Sequence, residues 1–333
     1  MNIQEKIINS AILSQHFIQR DGFIFSSLLY PANIYDAIVI HNPPFATSYT
    51  PRYPSSSQSL EAHIALIDKL KLQKAIVIAE DIDFLRMCPS LQFLSVIPAD
   101  SAPNNFDFSV LYDLPQILSL HCSTEYGVMG KLHSSVDYSR VTGLVDLGVS
   151  TQGDLNFNHI TTLKSLSVSH NTSKFLTDLF CSQNLDTLQL MQCRLHSLDG
   201  LEKAKKMQRL NLYYNRNLVD ISALFSARNS LFQLCIENCP HITDFSVLDS
   251  LSKLEYLELK GSNTLPSLKF LRSMPNLKVF HLAMNVADGD LSLCMKIPYA
   301  TCKNKKHFTF KDADLPKNLS LPRDDHGIEQ WRR

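Results

Sequence analysis

The feature that most constrains this chain is a nine-residue pattern, Leu-x-x-Leu-x-Leu-x-x-Asn/Cys, that returns six times at near-constant spacing. It fits Leu163, Leu166, Val168, Asn171, and then Leu185, Leu188, Leu190, Cys193. It continues with Met207, Leu210, Leu212, Asn215 and with Leu231, Leu234, Ile236, Cys239. It closes with Leu254, Leu257, Leu259, Ser262 and with Leu277, Phe280, Leu282, Asn285. The starts at 163, 185, 207, 231, 254 and 277 lie 22, 22, 24, 23 and 23 residues apart. Self-similarity at such a period belongs to stacked architectures. Each Leu-x-x-Leu-x-Leu reads as a short strand whose alternate residues face opposite ways. The inward leucines of one copy can be buried only by the next copy. The ninth side chain points into the turn after the strand, where an Asn amide can both donate to and accept from the backbone. Cys193, Cys239 and Ser262 are small stand-ins at that position, which argues against reading the cysteines as metal ligands.

Between the strands the apolar period becomes three. Leu195, Leu198, Leu201, Ala204 and Met207 show it, as do Ile242, Phe245, Leu248, Leu251 and Leu254, and again Leu265, Leu268, Leu271, Met274 and Leu277. That period predicts 3₁₀ turns in preference to α-helix. Before residue 163 the copies degrade: Leu91, Leu94, Val96, Ala99; Ile117, Leu120, Cys122; and Leu144, Leu147, Val149, Gln152. Segments 98–105 and 126–140 read as insertions, and a strand is expected at Lys74–Ala79.

The pattern over roughly residues 70–313 resembles the leucine-rich-repeat family, in particular the short-repeat, internalin-like bacterial type. The resemblance implies an α/β solenoid, a horseshoe with a parallel β-sheet on its concave face and 3₁₀ or short helical segments on its convex face. Four regions are expected. Residues 1–70 form an N-terminal cap of helix, strand, Pro/Ser-rich loop and helix. Residues 71–162 hold irregular repeats with insertions, 163–313 hold the regular repeats and a last strand, and 314–333 form a tail. The leading cap helix is read from the spacing of Ile3, Ile7, Ile8, Ala11, Ile12 and Phe17. The strand is read at Tyr35–Ile40. The second helix is read from Ser59 as N-cap through Lys71, with Leu60, Ile64, Ile67 and Leu70 on one face. The last strand is read at His307–Lys311, around Phe308 and Phe310.

No catalytic constellation emerges. There is no Gly-x-x-x-x-Gly-Lys-Ser/Thr, Gly-x-Gly-x-x-Gly, His-Glu-x-x-His or Gly-x-Ser-x-Gly pattern, and with 10 glycines phosphate-cradling loops are not expected. Lys+Arg and Asp+Glu stand at 32 each, so no basic footprint for nucleic acid or anionic membrane is present. The 8 cysteines are expected to be reduced, mostly buried thiols. Asp288-Gly289-Asp290, Asp81 and Asp83 read as solvated loops. Residues 1–9 carry Glu5 and Lys6 inside their apolar run and lack a signal-peptide pattern, so a cytoplasmic location is expected.

The expectation is therefore a non-catalytic module, with no cofactor, no metal, no membrane, no nucleic acid and no small-molecule substrate, that binds a protein or peptide as a monomer. The outward strand residues would form the site. Arg209, Asn211, Tyr213, Glu237, Tyr256, Glu258, Lys260 and His281 would share one patch, and Tyr and Arg are residue types enriched where interface energy concentrates. Phe93, Ser95, Ile97, Ser119, His121 and Ser123 would extend the face toward the N-terminus. An immunity or regulatory role is one form of this reading. The alternatives are a secreted or injected effector, or an enzyme with its site among residues 1–70, where Tyr30, His41, Tyr49 and Tyr53 are candidates by residue type.

Overall fold

The computed structural model describes residues 5–9, 16–26, 37–43, 54, 56–122, 135–150 and 154–319. They divide into two compact units, the first reaching Thr162 and the second starting at Leu163. Both contain leucine-rich-repeat solenoid coils, each giving one strand to a sheet and returning through 3₁₀ turns; in the first unit these follow an antiparallel run of strands and an α-helix.

The first unit begins with β1 (Glu5–Asn9), β2 (His16–Arg20) and β3 (Phe23–Ser26), followed by β4 (Ala37–Asn42), α1 (Leu60–Leu70) and β5 (Lys74–Ala79). It continues with β6 (Phe93–Pro98), β7 (Ser119–Cys122), β8 (Val136–Asp137), β9 (Asp146–Ser150) and β10 (Asp154–Leu155). Strands β1 to β4 pair antiparallel in sequence order. From β4 onward the ladder is parallel through β5, β6, β7 and β9, and β8 pairs with β10 in a separate two-stranded ribbon.

The expected leading helix is thus a correction. Glu5–Asn9 and His16–Arg20 are strands, and Ile3, Ala11 and Ile12 lie outside the described residues. The cause is the two-residue turn at Asp21-Gly22, where φ is +50° and +82°. Both central residues have positive φ, as a tight hairpin of this hand requires, and the flanking Arg20 and Phe23 pair directly. The second helix forms as read, with the Ser59 side chain accepting from the Ala62 amide and Lys71 ending it in the left-handed region. Its buried residues, however, are His63 and Ile67, while Leu70 is exposed.

Strands β4 and β5 bury both faces, and β6 does so at Ile97. Ile38, Ile40, Ala75, Val77, Leu94 and Val96 fill the leucine side. Phe17, Ile24, Ala37, Val39, Ile76, Ile78, Ile97 and Ala99 form a second apolar cluster. Ile97 is therefore core and not open surface.

The second unit contains β11 (Ser165–Ser169), β12 (Thr187–Met191), β13 (Arg209–Tyr213), β14 (Gln233–Glu237), β15 (Tyr256–Leu265), β16 (Val279–Val286) and β17 (Tyr299–Cys302). All neighbours pair parallel and in register, with one irregularity between Lys260 and Thr264. The last strand is β17; His307–Lys311 is loop. The residues spaced by three, from Leu195 to Met207 and from Ile242 to Leu254, are buried along 3₁₀ turns such as Leu201–Lys203 and Ser246–Ser250.

The turn position ties coil to coil. The Asn215 amide accepts from Cys193 N (2.8 Å) and donates to Leu190 O (2.9 Å). Cys193 Sγ lies 3.5 Å from Val168 O, and Cys239 Sγ 3.8 Å from Leu212 O. In each case the sixth-position carbonyl of one repeat meets the ninth-position side chain of the next. The next repeat departs from the template. Ser262 is exposed and Asn263 is buried instead, donating to Cys239 O (3.0 Å) and Ile242 O (2.8 Å). Gly261, with φ +145°, makes that one-residue displacement possible. In the last templated repeat Asn285 stays in the extended strand and Met284 is buried.

Two further periodic devices support the coils. The residue before the turn position is left-handed in four successive repeats: His170, Gln192, Tyr214 and Asn238, with φ between 52° and 56°. Each sends its N–H to the next strand, for example Gln192 N to Tyr213 O at 2.9 Å. The 3₁₀ turns are often opened by Asp-x-Ser, as at Asp220, Asp244 and Asp290, whose carboxylates accept from the Ser222, Ser246 and Ser292 amides at 2.7, 2.8 and 2.8 Å. The Ser246 amide holds the Asp244 carboxyl below its usual range.

Three outcomes follow from this framework. Gln192→Gly relieves an exposed left-handed residue and should raise stability by about 0.5–1 kcal/mol in urea unfolding. Asn215→Ala leaves the buried Cys193 N–H and Leu190 carbonyl without their partner and should cost about 2–5 kcal/mol. The third concerns His41 and His63, which are 1% and 0% exposed. Burial, with the neighbouring His63 adding to it, lowers His41 to about 4, and burial lowers His63 as well. An unfolded imidazole takes up its proton near 6.5, so this stability is fully present above that pH. It drains as pH falls toward 4, on the order of 3 kcal/mol for His41 alone. Protection factors of the amides in β4 and α1, taken against the intrinsic exchange rate at each pH, should fall over that window, and unchanged protection would contradict the assignment.

Candidate protein-binding face

Register places the strand residues of the second unit that point away from the leucine core in three rows. The first runs Ser165, Thr187, Arg209, Gln233, Tyr256, Val279, Tyr299. The second runs Ser167, Gln189, Asn211, Cys235, Glu258, His281, Thr301. The third runs Ser169, Met191, Tyr213, Glu237, Lys260, Ala283. All eight residues expected at the site therefore lie on one face of four adjacent strands, β13 to β16. Arg209, Asn211, Tyr213, Glu237, Lys260 and His281 are partly exposed. Tyr256 and Glu258 are buried, at 7% and 9% exposure.

The N-terminal half of the face, across β11 and β12, is mostly serine, threonine and glutamine with Met191 at its edge, and Gln189 Nε2 donates to Ser167 Oγ at 3.2 Å. The other half carries charge and aromatic surface. The Arg209 guanidinium lies 5.0 Å from the centroid of the Phe232 ring, a cation–π placement that orients the side chain. Glu237 accepts from the Tyr214 hydroxyl (3.1 Å) and from Asn238 Nδ2 (3.3 Å).

Glu258 is the electrostatic centre. Tyr256 Oη donates to its Oε2 at 2.5 Å, and Lys260 Nζ bonds its Oε1 at 2.5 Å. Burial, then the neighbouring Cys235 and Glu258, push the Tyr256 phenol far above its ordinary range, so it stays a donor. Burial pulls the Lys260 ammonium down, but its hydrogen bond and charge interaction with Glu258 more than offset this and leave it raised. The buried carboxylate is thus paired on both oxygens, as a charge taken out of water must be. His281 stands between the Tyr256 and Tyr299 rings, at 5.5 and 5.9 Å between centroids, with Nδ1 2.7 Å from Thr301 Oγ1. Burial lowers its pKa, which keeps a neutral ring in that stack at neutral pH.

Two contributors were not legible in the repeat template. Tyr299 lies on β17, whose inward residues Ala300 and Cys302 replace the leucines; Ile297, Ala300 and Cys302 are a seventh copy that spacing could have found. Leu319, beyond the repeats, packs on the cluster of Cys235, Tyr256, Val279 and Tyr299, as does Tyr213. No spacing signal reaches it.

In the first unit, Ser119, His121 and Asp146 come together on β7 and β9. Ser119 Oγ donates to Asp146 Oδ2 at 2.5 Å, and His121 Nε2 lies 3.5 Å from the same oxygen. Gly148 makes room for the imidazole, since a Cβ there would fall 1.9 Å from His121 Nδ1. The serine hydroxyl is directed at the carboxylate and not at the histidine, so the trio lacks the nucleophile–base contact that acyl transfer needs. Tyr30, Tyr49, Tyr53 and Ser123 lie outside the described residues, and His41 is buried.

Among the described residues no group of three or more His, Cys, Asp or Glu is placed to hold a metal ion. No helix among them is long and apolar enough to cross a membrane. All eight thiols are free and seven are buried, Cys181 being the exposed one. Burial pushes Cys88, Cys193 and Cys239 up to about 11.

No protein-family model matches the chain, and no curated protein matches it in sequence. Similarity is found among solved structures. Internalin C2 of Listeria monocytogenes is 19% identical over 53% of this chain and 76% of its own, with a TM-score of 0.39. A leucine-rich-repeat protein of Leptospira interrogans is 16% identical over 77% of this chain and 60% of its own, with a TM-score of 0.45. The functional domain of InlJ from Listeria monocytogenes, which includes a cysteine ladder, is 17% identical over 86% of this chain and 57% of its own, with a TM-score of 0.45. The chain spans less than two thirds of the latter two. At these identities the fold rests on the repeat geometry itself: strand, left-handed residue, turn tie and 3₁₀ return.

Proposed function

We propose that this chain is a non-catalytic binding module that holds a protein or peptide partner on the open sheet face of its second unit. The observation that supports the reading is the gathering of Arg209, Asn211, Tyr213, Glu237, Tyr256, Glu258, Lys260 and His281 on four adjacent strands. Mixed charge on such a face suits a folded or peptide partner better than a polyanion, because complementarity of sign sets register and rejects wrong partners. The partly exposed Arg209, Tyr213, Glu237 and Lys260 would make the first contacts, with Tyr256 and Glu258 as the buried support that fixes them. In this reading the protein acts by occupying its partner, as an immunity or regulatory protein does.

The test is a co-purification from the native host with the wild-type chain and with an Arg209→Glu, Glu237→Lys variant. These side chains are partly exposed, so the fold should persist by circular dichroism. Capture of the wild type's main partner should fall at least about tenfold, equivalent to roughly 1.4 kcal/mol. Equal recovery by the two chains would sink the assignment of this face.

A further inference from the structure

The end of the second unit already carries an extended segment bound at this face. After the 3₁₀ turn Asp312–Asp314, Leu315 is buried and the chain turns back along β17. Ala300 N donates to Pro316 O (3.0 Å) and Asn318 N donates to Pro298 O (2.9 Å). Tyr299 and Lys317 form an antiparallel bridge. Lys317 Nζ donates to Ala300 O and to Asp312 O, the latter at 3.2 Å, and lies 5.4 Å from the Tyr299 ring centroid. Two residues on, Leu319 seats on the cluster of Cys235, Tyr256, Val279 and Tyr299.

This is strand addition performed by the chain on itself. Main-chain bonds supply attachment to the last strand's edge, and alternate side chains supply selectivity. The selectivity elements are an ammonium beside an aromatic ring and a carboxylate, and an aliphatic group on a tyrosine-lined cluster. The cluster differs from the serine-rich β11 end of the face, and it takes an apolar side chain, Leu319, delivered from outside the leucine core.

We propose that the edge of β17 together with the Tyr256–Val279–Tyr299 row is a peptide-accepting cleft. Segment 315–319 is its resident occupant, and a protein partner enters by offering an extended stretch of the same chemistry, a lysine followed two residues later by an aliphatic residue. The proposal rests on the binding role argued above and names the partner's chemistry at that face. The resident segment is then a competitor. It shields an edge that would otherwise invite pairing with another chain, and it sets the affinity a partner must exceed.

The experiment uses the full chain and a fluorescein-labelled, end-blocked peptide Leu-Pro-Lys-Asn-Leu, the sequence of residues 315–319. A Lys317→Glu, Leu319→Asp variant should bind the peptide saturably in fluorescence anisotropy. The wild type, whose cleft is filled, should bind it at least about tenfold more weakly. A peptide with Asp as its last residue should not bind the variant. Should the variant lose cooperative unfolding, hydrogen exchange of the wild type decides: excess unlabelled peptide should accelerate exchange of the Asn318 amide as the resident segment is displaced. A folded variant that ignores the peptide, equal binding by variant and wild type, or a variant that dimerises and excludes the peptide would each overturn the proposal. Unchanged Asn318 exchange in peptide excess would do the same. No partner protein enters this test, so its failure is separable from failure of the co-purification.

Discussion

The middle of the second unit depends on one recurring tie, the bond from the ninth-position side chains of Cys193, Asn215 and Cys239 to the sixth-position carbonyl of the preceding repeat. A strand followed at once by a turn leaves backbone groups that no ladder can reach, and buried groups of that kind must find a partner. Asn215 answers with both a donor and an acceptor, and Cys193 and Cys239 answer with a thiol. The tie fixes the distance from coil to coil, and the leucine core fills the space so defined. Because the coils are held in register, side chains on the opposite sheet face fall into straight rows. The rows are what make a binding face possible: Tyr256, Val279 and Tyr299 stand side by side because the parallel ladder holds β15, β16 and β17 in register.

The same constraint explains what could be read from the sequence and what could not. The six leucine copies state the strand positions outright, since burial by stacking admits only apolar residues at those sites, and the period of three states the 3₁₀ returns. Asn263 escaped because the template counts residues, whereas the backbone counts hydrogen bonds. A glycine at 261 lets the chain shift by one and present the next amide. The N-terminal strands escaped because Ile7, Ile8 and Phe17 fit a helical spacing as well as an alternating one. Asp21-Gly22 was the discriminating pair, and it signals a hairpin through its positive φ values and not through hydrophobicity. His307–Lys311 looked like a strand from its two phenylalanines, but the ladder had already closed at Tyr299–Cys302.

The candidate face shows the same division. Which residues point outward follows from alternation alone, so all eight expected side chains do share one face. Their energetic state does not follow from alternation. Tyr256 and Glu258 are buried supports, paired through a phenol and an ammonium, and Leu319 and Tyr213 pack onto the cluster that holds Tyr256. Packing by residues from another part of the chain is invisible to a repeat template. In the first unit Ile76, Ile78 and Ile97 face a second apolar cluster, so the sheet at those positions serves as an interior wall.

The thiols at the turn position set the terms on which this molecule can be damaged. Cys193 and Cys239 act through their S–H groups, and burial keeps those groups protonated and out of reach of oxidants, which attack thiolates. While the coils stay stacked, the ties are inert. Once a coil opens, the thiol ionises more readily, and any oxidation removes the donor that would have closed it again. Chemical ageing of these two ties is therefore gated by how often their repeats separate, unlike that of the exposed Cys181 thiol. Repeats tied by asparagine, such as that of Asn215, carry no such memory of having been open.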